Sequence, residues 1–300
     1  AEAVDAVAPV SVARHSVCPM NPALSPSRAA DFKQCPLLYR FRTIDKLEGP
    51  PSPAAARGTL VHAVLEHLFD LPAQERTPEA ALALVEPRWQ ALVEERPELA
   101  TMIEDDEQLT EQGWYAAAGA LVEQWFTLED PTRLEPAARE LYVEAEVEGL
   151  TLRGYVDRLD VAPDGAMRVV DYKTGRSPSE LFEAKALFQM KFYALVLWRI
   201  HGTIPALLQL VYLGNGEVVR YSPDERDLRG VERNVRAIWD AVANAARTGD
   251  WRPRTSKLCD WCDFKDLCPA WGGTPPPLPE GAGLLALDPA RSGEAVPADD

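Results

Sequence analysis

Residues 154–175 read GYVDRLDVAPDGAMRVVDYKTG. Two strand-like runs, Leu152 to Val161 and Ala166 to Lys173, flank Pro163-Asp164-Gly165. Proline presets φ for a turn while Asp and Gly tolerate the bend, so the stretch predicts a β-hairpin. Alternate side chains of a strand share a face. Asp171 and Lys173 therefore project together with Tyr172 pointing away, and Tyr155, Asp157 and Leu159 share a face of the preceding strand. A register that sets Asp157 beside Asp171 brings two carboxylates and one ammonium to one spot. Hard divalent cations bind such carboxylates together with substrate phosphates, and a neighbouring lysine orients a water or offsets developing negative charge. An isolated D-x-K is usually a solvated hairpin face, so the reading depends on what surrounds it.

Upstream, LYVEAEVEGLTLRGYVDRLD alternates Tyr142/Glu144/Glu146 against Val143/Ala145/Val147 and turns near Glu148-Gly149, predicting three sequential antiparallel strands. Downstream come a helix from Pro178 to Ile200, a near-continuous apolar strand from Ile204 to Leu213, a strand from Glu217 to Tyr221 and a closing helix from Asp224 to Gly249. Gln189 and Tyr193 lie four apart on one helical row. Before the strands, Ser25 or Ser27 caps a helix that tolerates Pro26 in its first turn and carries Cys35. After the PPSPAAA linker a helix is expected from about Gly58 to Asp70, with His62 and Glu66 one turn apart as a metal-ligand pair or a polar flank. The acidic stretch predicts two or three helices, with Pro78 to Glu95 and Glu104 to Leu128 among them, read as an insertion over residues 74–135. This order gives an α/β sandwich with a mixed sheet between helices.

Lys257 to Trp271 reads KLCDWCDFKDLCPAW, a C-x2-C-x5-C spacing in a chain of five cysteines. Cys259, Cys262 and Cys268 need a fourth ligand; Cys35 is the first candidate and Cys18 the second. Four thiolates hold either structural Zn2+ or an iron–sulfur cluster, and spacing alone does not choose. Either group would staple the N-terminal helix to the C-terminal segment.

The formal charge is −16, but residues 74–148 hold nineteen acids against five arginines, and residues 272–300 hold five acids against Arg291. The remainder, which bears the motifs, is close to neutral at about +2, so a phosphate-rich substrate is not excluded. Nonspecific binding to duplex DNA is expected to be poor. No run of eighteen apolar residues and no leader pattern in the first twenty residues occur, which predicts a soluble, cytoplasmic protein without membrane contact. A Walker A motif, a G-x-S-x-G elbow and H-E-x-x-H are absent from the sequence, so ATP is not expected as a partner. Residues 1–23 are expected to form a flexible arm and 272–300 a disordered Pro-rich tail.

Together these segments resemble the RecB-family nucleases of the PD-(D/E)XK superfamily, in the iron–sulfur branch. The resemblance spans about Leu24 to Trp271 and rests on six motifs in order. They are S-x-S-R…C-P…Y at Ser25, Ser27, Arg28, Cys35, Pro36 and Tyr39; G-x-x-x-H at Gly58 and His62; G-x-x-D-R-x-D at Gly154, Asp157, Arg158 and Asp160; D-Y-K-T-G at Asp171 to Gly175; Q-x-x-x-Y at Gln189 and Tyr193; and the late cysteine triplet. The resemblance implies a restriction-endonuclease-like core over residues 24–271 and metal-dependent hydrolysis of DNA, from single-stranded ends, in repair or recombination. His62, Asp157, Asp171 and the Tyr172 carbonyl would ligate Mg2+ or Mn2+, Lys173 would position the attacking water, and Gln189 and Tyr193 would support the site. Cys35, Cys259, Cys262 and Cys268 would hold a 4Fe–4S cluster, with structural Zn2+ as the alternative. Arg158, Arg176, Lys185 and Lys191 are expected to track phosphates, and Tyr39, Tyr155 and Trp198 are candidate stacking surfaces. As a protein partner the resemblance implies a helicase or repair complex. The rival reading is a catalytically silent DNA-binding or scaffold subunit of a repair or CRISPR-adaptation complex.

Overall fold

The computed structural model describes residues 23–104, 110–177 and 180–283. The expected arm through residue 22, Cys18 and the tail beyond residue 283 lie outside the described residues, as does the expected helix start at Pro178. Ala23 belongs to strand β1 (Ala23–Leu24) rather than to an arm.

Helix α1 (Pro26–Gln34) begins where Ser25 Oγ accepts from the Arg28 amide at 3.3 Å, with proline at its first position. It stops at Cys35, whose backbone is extended (φ −162°), because the residue before a proline is pushed out of the helical region. Pro36 then starts a short helix α2 (Pro36–Tyr39) that runs into a π turn over Arg40–Ile44. Cys35 thus sits at the corner between two helices.

Helix α3 (Pro53–Leu68) starts five residues before the expected Gly58. Ser52 caps it, Pro53 is preorganised at its first position, and three successive alanines carry strong helix propensity, so much of the supposed linker is helix. Helix α4 (Pro78–Glu95) matches expectation, with Thr77 as cap and Pro87 inside it. The two or three helices expected over the acidic stretch are three among the described residues, α4, α5 (Glu98–Glu104) and α6 (Glu111–Phe126), and the one expected from Glu104 to Leu128 corresponds to α6, which Thr110 caps by accepting from the Gly113 amide at 3.1 Å.

The sheet has six strands. Strand β2 (Ala138–Val147) runs antiparallel to β3 (Leu150–Val161), and β3 runs antiparallel to β4 (Met167–Lys173) through the anticipated turn, where Gly165 takes φ 84° and Ala166 N–H donates to Asp164 Oδ1 at 3.0 Å. Helix α7 (Glu180–His201) crosses over to β5 (Leu207–Tyr212), parallel to β4, and β6 (Glu217–Tyr221) closes the far edge antiparallel. β1 pairs parallel with β3. Helix α8 (Glu225–Thr248) has an Asp224 capping box at one end and Gly249 at φ 71° at the other.

Each face of the sheet is covered. Met167 and Val169 of β4 and Leu208 and Leu210 of β5 pack with α1, α2, α7 and α8, whereas Val170, Tyr172, Val211 and Leu213 pack with α3, α4, α5 and α6. Burial on both faces explains the near-continuous apolar run of β5, interrupted by Gln209. The acidic stretch is therefore one of the two covering layers, with Trp89, Trp114 and Trp125 buried in it. Among the described residues no helix is long and apolar enough to cross a membrane.

Candidate active site

The β3–β4 ladder ends at Arg158 opposite Val170. The next residues on the two strands are Asp157 and Asp171, and there the strands part. The Tyr172 amide, which would otherwise lose its strand partner, donates to Asp157 Oδ2 at 2.7 Å. This side-chain substitute for a ladder bond fixes Asp157 at the fork. Asp171, 2% exposed, is paired with Lys173, whose Nζ lies 3.2 and 2.9 Å from the two carboxylate oxygens. Lys173 also donates to Gln189 Oε1 at 3.1 Å, and Gln189 Nε2 donates to the Tyr193 hydroxyl at 3.1 Å. The row from β4 to α7 ends where Tyr193 packs on Gly154: a Cβ there would stand 2.7 Å from the Tyr193 ring, so only glycine lets the two come together. Gly214, likewise, meets the Gly175 backbone so closely that a Cβ would lie 2.6 Å from it, which holds the chain leaving Lys173 against β5.

His62 reaches the fork from α3. Its Nε2 lies 3.0 Å from the Tyr172 carbonyl, to which it donates, leaving Nδ1 to face Asp157 at 3.7 Å and Glu140 at 3.8 Å. One donor atom each from His62, Glu140 and Asp157 lies within 4.8 Å of the others. An imidazole and two carboxylates at that spacing suit a divalent cation. Glu66, the other half of the expected helical pair, lines the cleft but is not in this group.

Glu140 was not singled out by the sequence. It stands where the β2–β3 ladder skips a pair between Arg139–Arg158 and Leu141–Val156, and its φ is 41°. A non-glycine residue in that region is strained by about 1–3 kcal/mol, and the kink breaks the alternation at that level of the sheet. Tyr155 and Asp157 face the cleft as expected, but Leu159 turns into the core. No sequence signal separates Glu140 from the other acids of its strand.

Burial raises the Glu140 carboxyl to about 7, helped by the Asp157 charge, and raises Asp171 to about 6 against the pull of Lys173. Burial lowers His62, but Asp157 and Glu140 together outweigh it and its pKa is raised. Clustered carboxylates that hold protons in this way are what a site looks like when its charge calls for a cation.

Of the four cations expected to track phosphates, Arg158 and Lys191 do not line the cleft. Arg176 and Lys185 line the same cleft as the fork. Arg158 does not: it is 1% exposed, pairs bidentately with Glu129 at 2.7 and 2.8 Å, contacts Asp160 and donates to the Tyr172 hydroxyl. The break in alternation turns it into the α3–α6 layer. Lys191 is held by Asp227 at 2.8 Å and lies over the Tyr221 ring. Among the aromatic candidates Tyr155 lines the cleft, Tyr39 is fully buried, and Trp198 is covered by Arg199 and Arg229.

The four cysteines surround one cavity. Trp251 stacks on Tyr39 at 5.9 Å and Phe264 packs on Phe41 at 5.5 Å, which draws the C-terminal segment against α1 and α2 and carries Cys259, Cys262 and Cys268 to Cys35. The Arg254 amide donates to Cys35 Sγ at 3.3 Å and the Ser256 amide to Cys259 Sγ at 3.4 Å. Burial raises the Cys262 thiol, and the nearby Cys259 and Cys35 raise it further.

Two mycobacteriophage proteins are similar along most of their length: the Gene 69 protein of phage D29, 29% identical over 274 residues, covering 83% of this chain and 97% of that protein, and the Gene 69 protein of phage L5, 23% identical with the same coverage. Among solved structures, an Eubacterium rectale protein provisionally named an exonuclease superposes with a TM-score of 0.53 at 15% identity, over 81% of this chain and 87% of that one. At that identity the likeness speaks for the fold. The sequence model of the PD-(D/E)XK nuclease superfamily matches residues 23–269, a span that contains the fork, the cleft and all four clustered cysteines. The chain belongs to the PD-(D/E)XK nuclease superfamily.

Proposed function

We propose that this protein is a Mg2+- or Mn2+-dependent deoxyribonuclease that degrades single-stranded DNA from its ends, with an iron–sulfur cluster pinning its C-terminal segment. The observation that carries the reading is the fork itself: Asp157, Glu140 and His62 offer donors to one cation, and Asp171 and Lys173 stand beside them in the same cleft. A divalent cation bound there would polarise the phosphoryl oxygen and make a water more acidic. Lys173, fixed between Asp171 and Gln189, would present its ammonium to the attacking water and to the negative charge on the phosphoryl oxygens. Arg176 and Lys185 add positive charge where the strand would enter. The restriction to single strands and ends follows from the resemblance of the six motifs to the RecB family. The acidity of the rest of the chain, which opposes coating of duplex DNA, is consistent with it.

For the cysteines, the spacing of the sulfurs favours a cluster over zinc. Zn–S bonds of about 2.3 Å in a tetrahedron put neighbouring thiolates about 3.8 Å apart. Among the described residues no three of these sulfurs come within 4.8 Å of one another. Iron and sulfide in equal amounts, with broad visible absorption from the purified protein, is the expected result; zinc without sulfide would reverse the assignment.

Substitution tests the catalytic roles. Asp171→Asn and Lys173→Gln should each lower cleavage by at least ~100-fold while the variants melt as cooperatively as the parent. Wild-type rates in both variants would remove the fork from the chemistry.

A further inference from the structure

Helix α4 supplies one wall of the cleft through Arg88, Ala91, Leu92 and Glu95, positions spaced to share a helical face. Arg88 is the only cation on this helix, whose other charges are Glu79, Glu86, Glu94 and Glu95. It has no hydrogen-bond or ion-pair partner among the described residues, and its Nε is buried without one. Other arginines on this side of the sheet are engaged: Arg76 with Glu135, Arg139 with Asp70 and Arg158 with Glu129. A guanidinium left unmatched amid so many carboxylates, with a donor already stripped of water, is poised for an anion from outside the chain. The same cleft carries Arg176 and Lys185 from the side of α7, so cations approach the fork from both covering layers.

We propose that Arg88 is a phosphate-binding residue: its guanidinium fork receives a backbone phosphate of a nucleic-acid strand lying in the cleft, so that α4 forms the second wall of the strand's path. Planar guanidinium groups match phosphate oxygens two at a time, which a lysine cannot do. Glu79, Glu86 and Glu94, which do not line the cleft, repel the strand from the helix's other faces, while Glu95 shares the cleft wall with Arg88. This assignment deepens the nuclease reading and rests on it.

The test uses full-length protein carrying Asp171→Asn to stop cleavage, a fluorescein-labelled single-stranded oligonucleotide and anisotropy titrations in Mg2+ at several salt concentrations. Adding Arg88→Gln should weaken binding about 5- to 20-fold and flatten the slope of log K against log salt by about 0.7, the loss of one single-strand phosphate contact. Adding Arg88→Lys should keep the slope, because a point charge remains, while affinity still falls. Arg229→Gln, which removes an exposed cation paired with Glu225 on α8, should change neither quantity. Affinity and slope unchanged in Arg88→Gln would overturn the Arg88 assignment alone. A parent that binds no oligonucleotide at any salt would overturn that assignment and the nuclease reading together.

Discussion

Glu140 holds its strained backbone near the start of β2, in an otherwise regular strand pair, and its carboxyl joins Asp157 and His62 as a consequence. Three neighbouring acids with one imidazole are costly in a folded chain, and the raised pKa values of Glu140 and Asp171 measure that cost. The sign for stability follows directly. A carboxyl whose folded pKa is raised binds protons more tightly when folded, so its contribution is favourable below the unfolded value and declines as pH rises toward the folded one. Between about pH 4 and pH 7 these two groups should therefore make the metal-free protein less stable as pH increases. A divalent cation opposes this by neutralising the same carboxylates. The melting temperature should rise more on addition of Mn2+ at pH 8 than at pH 5.5, and Glu140→Gln should shrink that difference; an equal increment at both pH values would argue against cation binding at this group. Asp171 and Lys173 were legible because strand alternation holds on β4, and His62 because it stands in a recognisable motif. Glu140 and the inward turn of Arg158 were not legible, because both depend on a local break in the β2–β3 pairing that no pattern of polarity announces.

At the scale of elements, the buried ion pair between Glu129 and Arg158 ties the segment after α6 to β3 and, through the Tyr172 hydroxyl, to β4. Trp125 and Gln209 complete the shell by donating to Glu129 at 2.8 and 3.1 Å. Burial pushes the Glu129 carboxyl up, but the hydrogen bonds and charge of Arg158 outweigh it and hold its pKa low. Asp157 adjoins Arg158 on β3 and Asp171 adjoins Tyr172 on β4, so the fork is braced by a layer that the sequence presents only as an acidic insertion. Removing one partner strands the other charge in the interior. Glu129→Ala should cost about 3–5 kcal/mol, visible as a lowered urea midpoint, and should reduce cleavage although no cleft residue is touched. The early start of α3 belongs to this scale too: proline and a run of alanine read as linker by composition, yet a serine cap before a proline is a helix start.

Across the whole molecule, two covering layers meet the sheet at the end of β4, and the cleft runs between them. The C-terminal cysteines close the opposite layer onto α1 and α2, far along the chain from Cys35. Cys35→Ser should leave the β-sheet layer folded but free the segment after Gly249, so limited proteolysis should cut near residues 250–271 much faster than in the parent; equal protection would show that Trp251 and Phe264 packing suffices. Five of the six strands were readable because each is bounded by turn chemistry, whereas β1, two residues long and paired parallel with β3, was not. The pairing of the layers was not, since it is fixed by contacts between residues a hundred positions apart. Nuclease action at the fork is tested by a time course with linear single-stranded DNA labelled at either end, beside a circular single-stranded control, in Mg2+, Mn2+ or EDTA. Metal-dependent loss of the linear strand with the circle spared is the predicted result, and the two ladders would give the polarity. No cleavage by cluster-replete protein in either metal would contradict the claim that the fork is a working nuclease site.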